Sequence, residues 1–559
     1  MAYFLKQSKI KGRNYLAIYE SFYNPEKKET AHKTFKSLGS VETLIKNGLE
    51  DPITYYQKEV DKLNAERNQK TVKKISDKSP IQYLGYFLLK AMMEKLEIEK
   101  NITPFKITNN FKYDLFSLLS TLVYARAVEP CSKRRAYNEI IPSLFEKYNF
   151  SYDQLMDGVS FLGENYEKFV EIFTTMTSKK FKLDTSKTYF DCTNFYFGID
   201  REDLFRKKGP SKENRKDPIM GLGLLLDKNQ IPIGMKMYPG NESEKPVLRD
   251  VIDKLKSKNN ITGKTVHVAD KGLNCAENIH ASLLRKDGYV FSKSVKQLPA
   301  QEIKWVLLDN GYNEVKNKKG KLLYKYKCCT DVFPYSYIKD DKKIEFHLKE
   351  KRVVTYNPEL AAKHRHEINK LIEKAKYLSV SKAKKKEFGE SAKYVIFADK
   401  NGEKVFAKLN EKLINKHLML AGYNLLVTSE LEMSESEIYQ TYHNLWRIEE
   451  SFKIMKSQLD ARPVYLQKED TITGHFLICY LCVLLLRLLQ FKKLDNKYCS
   501  EDIFSFIKNF RVVEVSENKY INITRATDFI KDFAKDTSLP LMSYYLSKGQ
   551  ISEMLSYRF

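Results

Sequence analysis

The sequence has 559 residues, 42% of them hydrophobic and 13% aromatic, which is enough for two to four domains that each bury a core. Lys and Arg outnumber Asp and Glu by 96 to 71, and the formal net charge is +25. This composition argues against a disordered chain and favours a polyanionic partner, with nucleic acid ahead of an anionic membrane surface. Charge alone does not decide the matter, because Lys-rich stretches also occur as ordinary solvated surface.

Residues 1–75 contain short β-like runs followed by a polar helical stretch, and predict a small α+β module that is a candidate for binding DNA ends. Residues 76–185 carry apolar residues at helical spacing and predict a helical domain. Residues 471–559 are predicted to be mostly helical, as a C-terminal region that is a candidate for dimerisation.

From residue 186 the pattern changes from helices to strands. Apolar or aromatic runs at 188–197, 219–226 and 231–238 predict three strands, the last two joined by a turn. A helix at 246–256, a strand at 265–269, a helix from 276 and a strand at 289–291 follow. The order β-β-β-α-β-α-β is that of an RNase H-like fold, so we predict an α/β core with a mixed five-stranded sheet flanked by helices. We assign it residues 186–293 and 422–470, interrupted by a β-rich and basic insertion domain at 294–421.

The longest apolar run, residues 476–486, ends at Arg487 and is shorter than the about 18 residues that a membrane span needs. The first residues also lack the apolar core of a signal peptide. We therefore expect a buried helix in a cytoplasmic protein with no membrane partner. Eight cysteines without regular spacing predict no disulfide framework, and the lone pair Cys479 and Cys482 is more typical of core packing than of zinc.

Three carboxylates are candidates for catalysis. Asp191 lies within the first predicted strand and Asp270 ends the fourth, and these strands are neighbours in an RNase H-like sheet. Glu449 lies seven residues from both Tyr442 and Lys456, so a continuous helix would present all three on one face. The alternatives are ordinary strand-end residues for either Asp, and an amphipathic surface helix with ion pairs for Glu449.

Around these residues the sequence resembles the DDE transposases of bacterial insertion sequences, in the subgroup with a Y-R-E-K signature. Tyr442, Glu449 and Lys456 match three of its four letters, and Leu445 stands where the signature has Arg. Further segments that resemble the family are 189–194, 209–212, 239–244, 268–272, 446–450, 461–464 and 474–475.

The resemblance implies an enzyme that cleaves DNA at transposon ends and transfers the strands into target DNA. It implies that Asp191, Asp270 and Glu449 are catalytic and hold two Mg²⁺ or Mn²⁺ ions, whose preferred ligands are hard oxygens. Tyr442 and Lys456 are expected to contact DNA phosphates, and Arg447, Lys453 or Arg462 to replace the contact missing at Leu445. Trp305, in the insertion, is a candidate for stacking on an unpaired base.

The expected partners are double-stranded DNA, as terminal inverted repeats and target, and a second copy of the chain in a synaptic homodimer. The expected location is the bacterial cytoplasm, at the nucleoid. Two alternatives stay open: an inactive DNA-binding derivative of a transposase, and a structure-specific nuclease on the same RNase H-like fold.

Overall fold

The computed structural model describes residues 2–24, 29–71, 79–109, 111–213, 216–258, 260–380 and 384–559. The chain divides into two compact units, Met1–Lys78 and Ser79–Phe559. The boundary predicted between residues 75 and 76 lies outside the described residues. The boundaries predicted within the larger unit remain predictions.

The first unit is an antiparallel sheet in the order β1-β2-β3, followed by two helices. Its elements are β1 (Tyr3–Ile10), β2 (Arg13–Asn24), β3 (Glu29–Ser40), α1 (Val41–Lys46) and α2 (Pro52–Thr71). Lys11 and Gly12 join the first two strands with positive φ angles of 47° and 83°, as a tight hairpin turn requires. Leu16 and Ile18 are buried, and the Ser40 hydroxyl caps α1 by accepting from the backbone N–H of Thr43.

The larger unit begins with one short strand and a group of helices. These are β4 (Ile81–Tyr83), α3 (Phe87–Lys95), α4 (Ile98–Thr108), α5 (Leu115–Val128), α6 (Lys133–Arg135), α7 (Tyr152–Glu164) and α8 (Tyr166–Phe181). Asp114 caps α5, and Ser151 with Gln154 forms a capping box at α7. From Leu118 onward every residue of α5 is buried, so this helix lies inside the fold.

The next seven elements form the predicted core. They are β5 (Lys187–Tyr196), β6 (Ile219–Asp227), β7 (Pro232–Pro239), α9 (Glu244–Ser257), β8 (Val266–Ala269), α10 (Ala276–Leu284) and β9 (Gly288–Lys293). The strands lie in the order β7-β6-β5-β8-β9; β6 is antiparallel to both neighbours, and β5, β8 and β9 run parallel. This topology confirms the RNase H-like fold.

The sheet has nine strands and not five, because the chain after β9 extends the same sheet. The elements are α11 (Ala300–Leu307), β10 (Asn313–Lys316), β11 (Leu322–Lys339), β12 (Lys342–Tyr356), α12 (Pro358–Val380), α13 (Lys385–Phe388), β13 (Val395–Lys400), β14 (Glu403–Leu409), α14 (Glu411–Met419) and β15 (Tyr423–Thr428). β15 pairs with β9, and β12, β11 and β10 follow outward. The backbone groups at the edge of β9 are thereby paired.

The last part of the chain contains α15 (Glu435–His443), α16 (Trp446–Lys453), α17 (Glu469–Leu488), α18 (Ser500–Asn509), β16 (Arg511–Ser516), β17 (Lys519–Asn522), α19 (Asp528–Thr537), β18 (Tyr545–Ser547) and α20 (Lys548–Leu555). β16 pairs with β4, so the two ends of the larger unit share a four-stranded sheet. The C-terminal region is therefore less purely helical than predicted.

The predicted buried helix is confirmed. The segment Glu469–Lys493 is long and apolar enough to cross a membrane, but its apolar window is entirely buried in the fold. It is longer than the sequence suggested because Arg487, which was expected to end it, is itself buried and bonds to Glu450 and Gln490 at 3.1 and 2.8 Å. α17 packs against α5 and α7, so it serves as the core of the surrounding helices.

We expect Gly474→Ala to destabilise the protein, because Gly474 of α17 and Gly163 of α7 let the two backbones touch. A Cβ on Gly474 would lie 2.0 Å from the Val159 carbonyl oxygen, and backbone cannot yield as a side chain can. The free energy of unfolding, measured with urea, should fall by about 3 kcal/mol. Gly549→Ala is the control: its Cβ would meet nothing closer than 3.8 Å, so an equal loss there would contradict this explanation.

Candidate active site

The parallel register of β5 and β8 places two carboxylates side by side. Phe190 pairs with Ala269, so the next position in the register is Asp191 within β5 and Asp270 directly after β8. Neighbouring strands lie about 4.8 Å apart, and equivalent positions project to the same face of the sheet. The charge of Asp270 accordingly contributes to raising the pKa of Asp191. The predicted meeting of these two side chains at one edge is present in the structure.

The face on which these carboxylates lie is covered by helices. Side chains alternate along β5, and Phe195, four residues after Asp191, packs on Phe476 of α17 with 4.6 Å between ring centres. Phe190 and Cys192, on the opposite face, pack with residues of α9 and α10. Asp191 therefore belongs to the face that α16 and α17 cover.

A buried polar network joins β5, β8 and the start of β9. The imidazole of His267 on β8 lies 2.8 Å from the Thr188 hydroxyl on β5 and 3.0 Å from Asp287. Burial opposes ionisation of Asp287, but hydrogen bonds from His267 and Lys256 bring its pKa down to about 2. Since Asp287 also accepts from the backbone N–H of Thr265, the network fixes the strands that carry Asp191 and Asp270.

Asp191 lies in an environment that resists negative charge. Burial raises its pKa to about 6, and Glu244 and Asp270 add to the rise, whereas Lys212 opposes it. The Lys212 ammonium lies 3.7 Å from Asp191 and 3.5 Å from Glu244, and it also donates to the Cys192 carbonyl. A cation is thus already held between two carboxylates.

Tyr442 joins the helical layer to Asp270. It lies near the end of α15, is partly buried, and its hydroxyl donates to Asp270 at 2.8 Å. One continuous helix from Tyr442 to Lys456 was predicted, and that prediction is wrong. α15 ends at His443, α16 starts at Trp446, and Lys456 lies in a π-helical turn at Ile454–Gln458. Leu445, where the signature has Arg, lies at the break and is buried among apolar side chains.

The π-helical turn that follows α16 lies over β5 near Phe195. The Lys456 ammonium lies 5.5 Å from the Phe195 ring centre and 3.3 Å from Glu213, and Arg462 also pairs with Glu213. Glu449 lies on α16, halfway along the chain between Tyr442 and Lys456, and is exposed. The structure therefore brings α16 across the strand of Asp191. It shows no hydrogen bond of the Glu449 carboxylate within the described parts of the chain.

The remaining predicted DNA contacts each have other partners. Arg447 lies near Tyr189 of β5, whose pKa burial raises and Arg447 lowers. Lys453 points elsewhere and pairs with Glu501 at 2.8 Å. Trp305 is partly buried, with the Lys327 ammonium 5.1 Å from its ring centre. Trp446, which starts α16 at the surface, is 51% exposed.

The donor chemistry at the sheet edge fits a hard divalent cation, because the converging groups are carboxylate oxygens and the ammonium of Lys212 already lies against two of them. Among the residues that the structure describes, no three His, Cys, Asp or Glu side chains are close enough to hold a metal ion. The structure thus presents Asp191 and Asp270 together, with Glu449 on the helix that crosses them.

A cavity of about 660 Å³ lies beside Asp270 and Tyr442 and extends to α12 and the end of α14. Lysine side chains outnumber carboxylates in its lining and include Lys271, Lys296 and Lys393. Burial lowers the pKa of Lys296, and the charges of Lys393 and Lys271 lower it further. Like charges held this close indicate a surface suited to an anionic ligand.

Lys212, Glu213 and Glu244 were not predicted as site residues. Two of them lie in segments that resemble the family, 209–212 and 239–244, so a signal for Lys212 and Glu244 was present without a role attached to it. Glu213 carried no such signal, because its partners Lys456 and Arg462 lie more than 240 residues further along the chain.

This arrangement defines the class of the protein: an RNase H-like fold in which a carboxylate of β5 lies beside the carboxylate that follows β8. The chain belongs to the family with a transposase DDE domain, whose model matches residues 193–486, more than half of the sequence. Enzymes of this family generally use divalent metal ions. The match includes Asp270 and Glu449 and begins two residues after Asp191.

One solved structure that the chain is similar to is that of a piggyBac transposase synaptic complex with hairpin DNA, at 10% identity over 76% of each chain and a TM-score of 0.37. No curated protein matches the sequence.

We expect Asp191→Asn to stabilise the metal-free protein at neutral pH. Asp191 has a native pKa of about 6 against an ordinary 3.8, so the native state binds the extra proton between these values and stability falls as pH rises through them. At pH 7.5 the variant should unfold with a free energy about 2 kcal/mol higher than that of the natural protein. At pH 3.5 the gain should largely vanish; a gain that is equal at both pH values would contradict the assignment.

Proposed function

We propose that the protein is a cut-and-paste transposase that cleaves DNA at the ends of its element and joins them to target DNA. The observation that carries this proposal is the pairing of Asp191 with Asp270, with Tyr442 bonded to Asp270 and leading into the helix that bears Glu449. The match to the transposase DDE family supports it. The two matched carboxylates and Asp191 are the proposed catalytic set.

The proposed roles are metal binding, orientation of a carboxylate, and contact with DNA phosphates. Asp191, Asp270 and Glu449 would hold two divalent ions, Mg²⁺ or Mn²⁺, which when bound activate the attacking oxygen and neutralise charge on the phosphate and leaving oxygen. Tyr442 orients the Asp270 carboxylate through its hydrogen bond. Lys456 and Arg462 hold the strand phosphates beside the cut, where they now pair with Glu213.

The chemistry needs no covalent bond to the protein. Water attacks a phosphodiester at the end of the element, the P–O3′ bond breaks, and a 3′-hydroxyl is released with a 5′-phosphate on the other fragment. That hydroxyl then attacks a target phosphodiester: a new P–O3′ bond forms and the target strand loses its own 3′-oxygen as the leaving group. One bond is formed for each bond broken, so strand joining requires no outside energy.

We also propose a subgroup, a replacement for the missing Arg, and partners for this transposase. The Y-R-E-K subgroup of bacterial insertion sequences is supported by Tyr442, Glu449 and Lys456. Arg462 is the best replacement for the Arg missing at Leu445, since it shares Glu213 with Lys456, whereas Lys453 faces Glu501. We further propose double-stranded inverted repeats and target DNA as partners, a synaptic homodimer, and a location at the bacterial nucleoid.

We predict that Glu449→Gln abolishes metal-dependent cleavage of DNA that carries the inverted repeats flanking the gene. Loss of one metal-holding carboxylate should lower the rate by about 1,000-fold, because such contacts contribute several kcal/mol to the transition state. Cleavage and strand transfer are measured on gels, with Mg²⁺ and with Mn²⁺. Glu501→Gln is the control, since Glu501 is an exposed carboxylate of α18 that pairs with Lys453 and not with the site.

The outcomes separate the proposed function from its alternatives. Undiminished cleavage by Glu449→Gln or Asp191→Ala would remove these residues from the catalytic set. If the natural protein binds its ends without cutting them, it is an inactive DNA-binding derivative. If it cuts branched DNA without strand transfer, it is a structure-specific nuclease.

We predict that Glu213→Gln tightens DNA binding, because it frees both Lys456 and Arg462 from one carboxylate. Affinity for a duplex in EDTA, followed by fluorescence anisotropy, should rise by about tenfold at low salt. Glu501→Gln changes the net charge equally but frees Lys453 instead. An equal gain from both variants would show a general effect of charge and would argue against Lys456 and Arg462 as the phosphate contacts.

A further inference from the structure

A second basic cavity, of about 290 Å³, lies beyond Arg462 along the chain. Four parts of the chain form its wall: the end of α5, the segment around Lys133, the residues that follow Arg462, and α17. The lining includes Arg126, Lys133, His475, Pro463 and Tyr465. Segments 461–464 and 474–475, which resemble the family, form part of this wall, but neither the resemblance nor the proposed catalytic set gives the cavity a role.

Two of its cations are buried. Lys133 and Arg126 are each only 7% exposed, and among the described residues neither has a carboxylate within ion-pair distance. Arg126 donates to the carbonyl oxygens of Leu459 and Cys131. Asp460 also lines the cavity, but its side chain is exposed. The inner wall therefore carries positive charge that the described residues do not neutralise.

The hydrogen bonds of Lys133 leave donors for a ligand. Burial, together with the charges of Lys133 and Arg126, lowers the pKa of His475 well below its usual range, so the imidazole is neutral. Its Nε2–H donates to the Ala461 carbonyl at 3.3 Å, and its Nδ1 accepts from Lys133 at 3.4 Å. An ammonium has three donors, and the described part of the chain provides no acceptor for the other two.

A buried ammonium without an anion is costly, since desolvation is not repaid by pairing. Burial accordingly lowers the pKa of Lys133 to about 7 in the free protein, and a bound anion would restore the charge. From the buried cations, the spare donors and the cavity, we propose that this is a binding site for a phosphate group of a DNA strand.

The mouth of the cavity favours a nucleic acid as the source of that phosphate. Tyr465 is 77% exposed there, and Arg134 lies 5.4 Å from the ring centre of Tyr152, so flat surfaces for bases or sugars surround the entrance. Arg462, a proposed phosphate contact, directly precedes Pro463 of the cavity wall. The site thus lies where a strand leaving Lys456 and Arg462 would continue. This step rests on the proposed function.

The test compares Lys133→Met with Lys508→Met in the full-length protein. Lys508 is also partly buried and donates to a backbone carbonyl, that of Gln458, but it does not line the cavity. Binding of a 30-base-pair duplex from the element end is measured in EDTA over a range of salt concentrations. For Lys133→Met the slope of log affinity against log salt should fall by about 0.9, and affinity should fall several-fold, whereas Lys508→Met should keep both.

A second arm uses inorganic phosphate as the probe. It should raise the melting temperature of the natural protein above that in chloride of equal ionic strength, and Lys133→Met should lose this effect. A phosphate effect without any change in the DNA slope would assign the cavity to free phosphate and overturn the DNA assignment. No effect in either arm would overturn the site.

Two results keep this inference separate from the proposed function. If the natural protein binds no duplex, the proposed function fails, and the phosphate arm alone decides on the cavity. If Lys133→Met does not fold, Tyr465→Ala replaces it, because the Tyr465 side chain is exposed and its removal leaves the core intact. Unaltered duplex affinity in Tyr465→Ala would then overturn the site.

Discussion

The parallel pairing of β5 with β8 is the interaction on which the candidate active site depends. It sets Asp191 beside Asp270 from strands that are far apart in sequence, and the buried network around His267 and Asp287 holds that register. A slip of one residue would send one carboxylate to the opposite face of the sheet. From the helices that cover this face, Tyr442 of α15 donates to Asp270, while Glu449 lies exposed on α16.

The order of strands and helices in the core was predictable, because apolar runs and turns in this segment follow the sheet closely. The pairing of Asp191 with Asp270 followed from that order. The break at Leu445 was not predictable, since a heptad spacing looks the same whether the helix continues or restarts. The contacts of Lys212 and Glu213 were equally hidden: they join a loop to residues far along the chain. Nothing in the local sequence distinguishes Lys133 from a solvent-exposed lysine, because its burial results from the packing of α5 and α17.

Charge is arranged in opposing pairs at the centre of the molecule. Lys212 lies against the carboxylates, and its neighbour Glu213 lies against the cations that are proposed to hold phosphate. In the free protein these cations are therefore already paired with carboxylates, although the chain as a whole is strongly basic. In the proposed function a divalent ion would displace Lys212 from its carboxylates, and a DNA strand would displace Glu213 from its cations. The free energy of each binding step would therefore include the cost of breaking an ion pair.

The position of α17 has a consequence for how the protein is made. Helices α3, α5 and α7 lie in the first third of the chain, yet they pack on a helix that begins at Glu469. During synthesis these apolar surfaces leave the ribosome well before the helix that covers them. At about 5–20 residues per second, the delay amounts to roughly 15 seconds or more. Until α17 is made, the nascent chain therefore exposes the apolar faces of these helices, and such surfaces favour aggregation.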